Sequence, residues 1–118
     1  MDALTIHEAA QTTGWSPRML RYVESIGLIE SDRSPAGYRL YGAEQLQRLR
    51  TLRELLDRYE LGLAEMGFAL RLHRDRELSD AVEAWIEAKA SRPDDVDPAD
   101  WLSFEQEKHQ RLLEAALS

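Results

Sequence analysis

The chain has 118 residues, 43% of them apolar, and a formal net charge of -7 at pH 7. This length allows one small domain with a helical extension but not two independent cores, and the apolar fraction is that of a folded protein. Cysteine is absent, which excludes disulfides, thiolate metal sites and thiol redox sensing.

The first two predicted elements are short helices joined by a glycine turn. Thr5 and Glu8 have the reciprocal capping spacing that begins a helix, and Gly14 is expected to end it. Ser16 is a good N-cap for a second helix, because Pro17 follows at the first helical position. This second helix is expected to run to about residue 25. Two short helices around a tight turn are typical of a helix-turn-helix.

The next segment, residues 28–41, is predicted to form a two-stranded hairpin, or wing. Its centre over residues 31–37 is rich in Ser, Pro and Gly, which favour turns. Residues 38–41 alternate and contain two tyrosines, which indicates a returning strand.

The rest of the chain is predicted to be helical with one interruption. Leucines at helical spacing predict a helix over 44–59, and a second apolar stripe covers 63–72. A further helix begins at Leu78 and stops before 91–98, where two prolines and three aspartates exclude a continuous helix. An apolar stripe from Trp101 to the C-terminus predicts the last helix.

The acidic excess lies entirely in the second half of the chain. Residues 1–58 contain 8 Arg, no Lys and 8 acidic residues, whereas residues 59–118 contain 7 basic and 14 acidic residues. The all-arginine N-terminal half suits phosphate contact, because a planar guanidinium meets two phosphate oxygens at once. Because the sequence shows neither a secretory leader nor an apolar run of about 20 residues, we expect a cytoplasmic protein without a membrane span.

Two short patterns in the N-terminal half stand at a characteristic separation. The first is SPRMLRYVE at 16–24, followed by Gly-Leu-Ile at 27–29, and the second is GYRLY at 37–41, preceded by Arg33. Through these patterns residues 5–66 resemble the DNA-binding domain of the MerR family of transcription regulators. The resemblance implies a winged helix-turn-helix.

The resemblance and the helical pattern of the second half together predict a domain organisation. We expect a mainly α fold, with a winged helix-turn-helix DNA-binding domain and its two-stranded wing over residues 1–75. A helical hairpin that serves dimerisation is expected over 76–118. Family members usually continue into one long helix and a sensing domain, but here the prolines break that helix and few residues follow. We therefore expect no separate effector domain and no cofactor.

The resemblance assigns side chains to DNA contact. Arg18 and Arg21 on the second helix are expected to reach base edges in the major groove. Tyr22, Tyr38 and Arg39 match family positions that hold the phosphate backbone without reading sequence. An alternative for Tyr38 is packing beneath the wing as a strand aromatic. The complete assigned set is Ser16, Arg18, Arg21, Tyr22, Arg33, Tyr38 and Arg39.

The apolar side chains of the C-terminal helices are assigned to a dimer interface. A hairpin of two short helices has too little interior to hide three large aromatic side chains, so a second copy is expected to cover them. The assigned residues are Trp85, Trp101, Leu102, Phe104 and Leu112. The alternative is that Trp85, Trp101 and Phe104 line a pocket for an apolar ligand.

Neither a metal site nor an enzyme active site is predicted. His7, His73 and His109 lack the paired spacing of a zinc site and are expected to be solvated, and no nucleophile stands beside a base. The expected function is a bacterial transcription regulator that binds promoter DNA as a homodimer, distorts it and acts with RNA polymerase. The alternatives are a protein-interaction module and an excisionase-like architectural DNA-binding factor.

Overall fold

The computed structural model describes residues 3–61 and 65–117, with side chains described outside 65–69 and 116–117. Within these ranges the elements are α1 (Ile6–Thr13), α2 (Pro17–Ser25), β1 (Asp32–Arg33), β2 (Arg39–Leu40), α3 (Ala43–Arg58), α4 (Glu65–Arg74), α5 (Arg76–Glu87), a 3₁₀ turn (Pro98–Asp100) and α6 (Trp101–Leu117). The predicted mainly α fold with a two-stranded wing is confirmed. None of the helices so described is long and apolar enough to cross a membrane.

Side-chain caps stabilise the first turns of both helices of the helix-turn-helix. The Thr5 hydroxyl accepts from the Glu8 amide at 3.2 Å, while the Glu8 carboxylate accepts from the Thr5 amide at 2.9 Å. Ser16 Oγ accepts from the Met19 amide at 3.1 Å and caps α2 in the same way. Gly14, which closes α1, has a φ of 80°, a left-handed conformation that glycine adopts without steric cost.

The wing is a short antiparallel hairpin in which Arg33 of β1 lies opposite Arg39 of β2. Its turn needs the left-handed conformation at Gly37, where φ is 87°. A separate bridge joins Leu4 to Tyr41 through two backbone hydrogen bonds of 2.7 and 2.8 Å. The base of the wing is therefore tied to the residues that precede α1.

The core lies between the helix-turn-helix, α3 and α5. The leucines of α3 predicted to form one stripe are buried, and burial of each leucine contributes about 1.5–3 kcal/mol. The large buried apolar residues include Trp15, Met19, Leu20, Tyr41, Leu46, Leu49, Leu52, Leu56, Leu78 and Trp85. Of the stripe predicted over 63–72, residues 63 and 64 and the side chains of 65–69 lie outside the described residues, and α4 covers the remainder.

The placement of the last helix corrects the sequence analysis. The chain does turn at the predicted break, but α6 then packs against α3 and α1, whereas α5 packs against α3 and α4. The predicted hairpin between the two C-terminal helices is therefore wrong. Leu113 of α6 comes so close to the turn between α1 and α2 that a methyl group on Gly14 would stand 2.5 Å from Leu113 Cδ2. The expected domain boundary after residue 75 coincides with the N-cap of α5, Asp75.

Candidate nucleic-acid interface

A groove of about 490 Å³ lies between the start of α1, α2 and the wing. Most of the charged side chains predicted to contact DNA meet there. Its lining residues are Thr5, Ile6, His7, Arg21, Arg33, Gly37, Tyr38 and Arg39. Tyr38 is 73% exposed at the rim, so the alternative that it packs beneath the wing is wrong. His7 and Thr5 join the groove although sequence reasoning gave them no binding role, because the approach of α1 to the wing is a tertiary feature.

The other residues assigned to DNA contact lie outside the groove. Arg18 is exposed in the first turn of α2, the end of the second helix that meets base edges in helix-turn-helix proteins. Ser16 precedes it and already uses its hydroxyl as the cap of α2. Tyr22 is half-buried and packs against the core.

Glu24 at the end of α2 binds both wing arginines. Its Oε2 accepts from Arg39 Nε at 2.5 Å, and its Oε1 accepts from Arg33 Nη2 at 3.1 Å. Oε1 also accepts from the Ser31 hydroxyl at 3.1 Å. Sequence analysis included Glu24 in a family pattern but assigned it no contact, because its partners lie up to 15 positions away and on another element.

Tyr41, which follows β2 of the wing, is 1% exposed. Burial and the nearby carboxylate of Glu24 raise the pKa of Tyr41 above its ordinary value, against the opposing effect of Arg39, Arg21 and Arg33. The phenol therefore stays protonated at neutral pH. Of the charged groups that act on this phenol, three are guanidinium groups and one is a carboxylate, so the local excess of charge is positive.

The residues assigned to a dimer interface are largely covered within the chain. Trp85 is 9% exposed, because its Nε1 donates to Thr51 Oγ1 at 2.8 Å and the Arg48 guanidinium lies 3.9 Å from its ring centroid. The other residues assigned to the dimer interface are half-buried, namely Trp101, Leu102, Phe104 and Leu112. Contacts of α6 with α1 and α3, and of α5 with α3, cover part of this surface within the chain.

The three aromatic side chains of the alternative ligand-pocket assignment do not meet in the groove beside Trp85. The groove beside Trp85, about 720 Å³ between α3 and α5, is lined by neither Trp101 nor Phe104. Trp101 instead donates from Nε1 to the Glu105 carboxylate at 3.1 Å, and Lys108 Nζ lies 5.2 Å from the Phe104 ring centroid. The aromatic side chains thus serve separate contacts.

A buried polar cluster, here called the α6 seam, joins α6 to α3 through Gln47, Arg50, Trp101, Glu105 and His109. Arg50 Nε donates to Glu105 Oε1 at 3.1 Å, and Gln47 Nε2 donates to Glu105 Oε2 at 3.3 Å. His109 Nε2 lies 2.7 Å from the Leu46 carbonyl oxygen. This seam was not predicted from the sequence, although the spacing of 101, 105 and 109 places these side chains on one helix face.

The prediction of solvated histidines is wrong for His109 and correct for the other two. His109 is 1% exposed, whereas His7 and His73 are exposed. Burial lowers the pKa of His109, since the charged ring loses its hydration. Over residues 3–61 and 65–117, no group of three or more His, Asp or Glu side chains stands close enough to hold a metal ion.

Comparison with known proteins identifies the N-terminal part. Residues 5–41 match the family model described as MerR family regulatory protein. The chain is 39% identical over 79 residues to an uncharacterized HTH-type transcriptional regulator of Pseudomonas aeruginosa, covering 66% of this chain and 59% of that protein. It is 38% identical over 74 residues to the heavy metal-dependent transcription regulator 2 of Rhizobium meliloti, covering 62% and 50% respectively.

A third relative is the HTH-type transcriptional regulator HmrR of Sinorhizobium medicae, 36% identical over 74 residues, with 62% of this chain and 50% of the relative covered. The chain thus spans between half and three-fifths of the length of these relatives. No significant match to a solved structure was found. The segment that holds the helix-turn-helix and the wing thus matches the MerR family of regulatory proteins, and the chain is similar to the transcription regulators named above.

Proposed function

We propose that the protein is a non-enzymatic regulator of transcription that binds double-stranded DNA sequence-specifically in the bacterial cytoplasm and needs no cofactor. The observation that carries this proposal is the groove that brings Arg21 of the second helix together with Arg33 and Arg39 of the wing. Guanidinium groups in such a place suit the phosphates of a duplex. The relatives named above are transcription regulators, which supports the same function.

We assign each DNA-binding residue a role from its position in the structure. Arg18, exposed in the first turn of α2, would enter the major groove and read a guanine edge with two hydrogen bonds. Arg33, Tyr38 and Arg39 on the wing would contact phosphates, which position the protein without reading sequence. Arg21, which lines the groove between them, would bridge the two regions.

We further propose that two chains act as a homodimer on inverted half-sites, about one helical turn or a multiple of it apart. Distorting promoter DNA between the half-sites costs a few kcal/mol, which phosphate contacts would offset, and the distortion would change how RNA polymerase engages the promoter. Trp85 no longer belongs to the proposed pairing surface, because its own chain buries it. Trp101, Leu102, Phe104 and Leu112 stay in the proposal through their partly exposed edges.

The test begins with duplexes selected from a random-sequence pool by the full-length chain. We expect Arg18→Ala to weaken binding to the selected duplex by about 1–3 kcal/mol and to relax the preference at one base pair in each half-site. The matched control is Arg76→Ala, an exposed arginine at the start of α5, which should leave both quantities unchanged. Fluorescence anisotropy with base-substituted duplexes measures both effects.

The salt dependence of binding separates this proposal from its alternatives. A DNA-binding protein loses affinity steeply as salt rises, whereas a protein-interaction module would show no such slope on DNA. Regulated transcription from a defined promoter would then distinguish a regulator from an excisionase-like factor. If the wild-type chain selects no preferred sequence, the proposed sequence-specific binding is contradicted. If sedimentation shows one chain on the selected duplex, the proposed homodimer is contradicted.

A further inference from the structure

Glu24 places a carboxylate at the edge of the surface proposed to meet a polyanion. A carboxylate near DNA phosphates is repelled by them, so its presence beside the groove works against binding unless it serves another purpose. Its side chain is 18% exposed, and both of its oxygens are engaged by neighbouring donors.

The contacts join two elements that could otherwise move separately. Glu24 belongs to α2, whereas its partners Arg33 and Arg39 lie opposite each other in the hairpin of the wing. Both contacts join a guanidinium N–H to a carboxylate oxygen, at 2.5 Å for Arg39 Nε and 3.1 Å for Arg33 Nη2, and are therefore charge-assisted hydrogen bonds. One carboxylate thus fixes both strands of the wing against the helix proposed to read DNA.

The contacts also use only part of each guanidinium group. A guanidinium has five N–H donors, and Glu24 takes one from Nε of Arg39 and one from Nη2 of Arg33. The side chains of Arg39 and Arg33 are 29% and 48% exposed. Each of these two arginines therefore keeps N–H donors that are free of Glu24. The contact with Glu24 already restricts the rotamers of both side chains. Such preorganisation lowers the entropy lost when an arginine binds a ligand.

We propose that Glu24 is a positioning residue that holds Arg33 and Arg39 toward the groove, so that both meet phosphates of the duplex in one fixed geometry. This inference rests on the proposed DNA binding. It requires that the gain from two oriented arginines exceed the repulsion from one carboxylate, which solvent and salt screen. Neutralising Glu24 should therefore weaken DNA binding when Arg33 and Arg39 are present and strengthen it when they are absent.

The test measures binding of the full-length chain to a mixed-sequence duplex in two backgrounds. In the wild-type background we expect Glu24→Gln to weaken binding about tenfold, although it removes a negative charge from the DNA-facing side. In the Arg33→Ala/Arg39→Ala background we expect the same change to strengthen binding about twofold, because only repulsion is left to remove. A merely structural role would weaken binding in both backgrounds, and simple repulsion would strengthen it in both. Either result overturns the proposal.

Glu30→Gln is the matched control, because Glu30 is an exposed carboxylate at the entry to the wing whose side chain has no hydrogen bond or ion pair with the described residues. It should not weaken binding in either background. Absence of salt-dependent binding by the wild-type chain would instead reject the proposed function itself.

A readout without DNA tests the positioning directly. The amides of Ser34 and Gly37 donate within the wing, each at 2.8 Å, and their hydrogen exchange reports how firmly the wing is held. We expect exchange at both amides to be about tenfold faster in Glu24→Gln than in Glu30→Gln. Unchanged exchange would overturn the positioning role whatever the duplex shows.

Discussion

One glutamate paired with arginine lies beside the groove and another lies in the α6 seam, and the two pairs differ in solvent access. At the groove, Glu24 is 18% exposed and its partners are 29% and 48% exposed. In the seam, Glu105 is fully buried and Arg50 is 17% exposed. An exposed guanidinium can exchange part of its surroundings for a phosphate, whereas an enclosed one can serve only the packing of its helices. Solvent access, more than the kind of ion pair, separates the surface available for binding from the one that stabilises the fold.

The largest expected effect on stability comes from breaking the buried pair of Glu105 and Arg50. We expect Glu105→Ala to lower the free energy of unfolding by about 3 kcal/mol, because it leaves Arg50 enclosed with its buried partner removed. Glu54→Ala is the matched control, since Glu54 pairs with the same arginine at 3.2 Å but is 48% exposed. Its cost should be about 0.5 kcal/mol. Urea unfolding followed by circular dichroism measures both, and equal costs would contradict the distinction.

A smaller effect tests the close approach of α6 to the helix-turn-helix. Gly14 and Gly27 both have a φ of 80°, but a methyl group would meet Leu113 only at Gly14. Each substitution to alanine should cost about 1–2 kcal/mol from backbone strain. Gly14→Ala should cost about 1 kcal/mol more, from overpacking against α6. The excess should vanish when Leu113→Ala is added, and its persistence in that double variant would show that α6 is not its cause.

The smallest expected effect is the pH dependence that His109 gives to the seam. Arg50 and Arg53 on α3 and Glu105 on α6 act on this ring, and burial is the largest cause of its lowered pKa. Because the folded-state pKa lies below the ordinary value of 6.5, the unfolded chain binds the proton first. The stability from this group is therefore full above about pH 6.5 and is lost as pH falls toward the folded-state pKa.

Urea unfolding between about pH 8 and about pH 5 measures this loss for the wild-type chain and for His109→Gln. The wild-type chain should lose more stability over this range than the variant, in which the titrating ring is absent. His73→Gln, a change at an exposed ring, is the control and should follow the wild-type curve. Parallel curves for all three proteins would remove His109 as a source of pH dependence.

Local chemistry in the sequence determined where the elements begin and end. The caps at Thr5 and Ser16, the glycine after α1 and the leucine period of α3 act within a few residues of one another, so each could be recognised without a fold. The predicted second and third helices, to about residue 25 and over 44–59, agree closely with Pro17–Ser25 and Ala43–Arg58. The family patterns placed the wing arginines correctly on the hairpin for the same reason.

Tertiary structure alone decided which surfaces meet. Pro93 and Pro98 indicated that the chain turns, but not that α6 would return to α1 and α3. An apolar stripe shows that a helix face is buried, but it does not show which element covers that face. Likewise, no spacing rule joins Glu24 to Arg39 or Glu105 to Arg50. These pairs form only when packing brings distant segments within hydrogen-bond distance, and packing depends on the shape of the whole core.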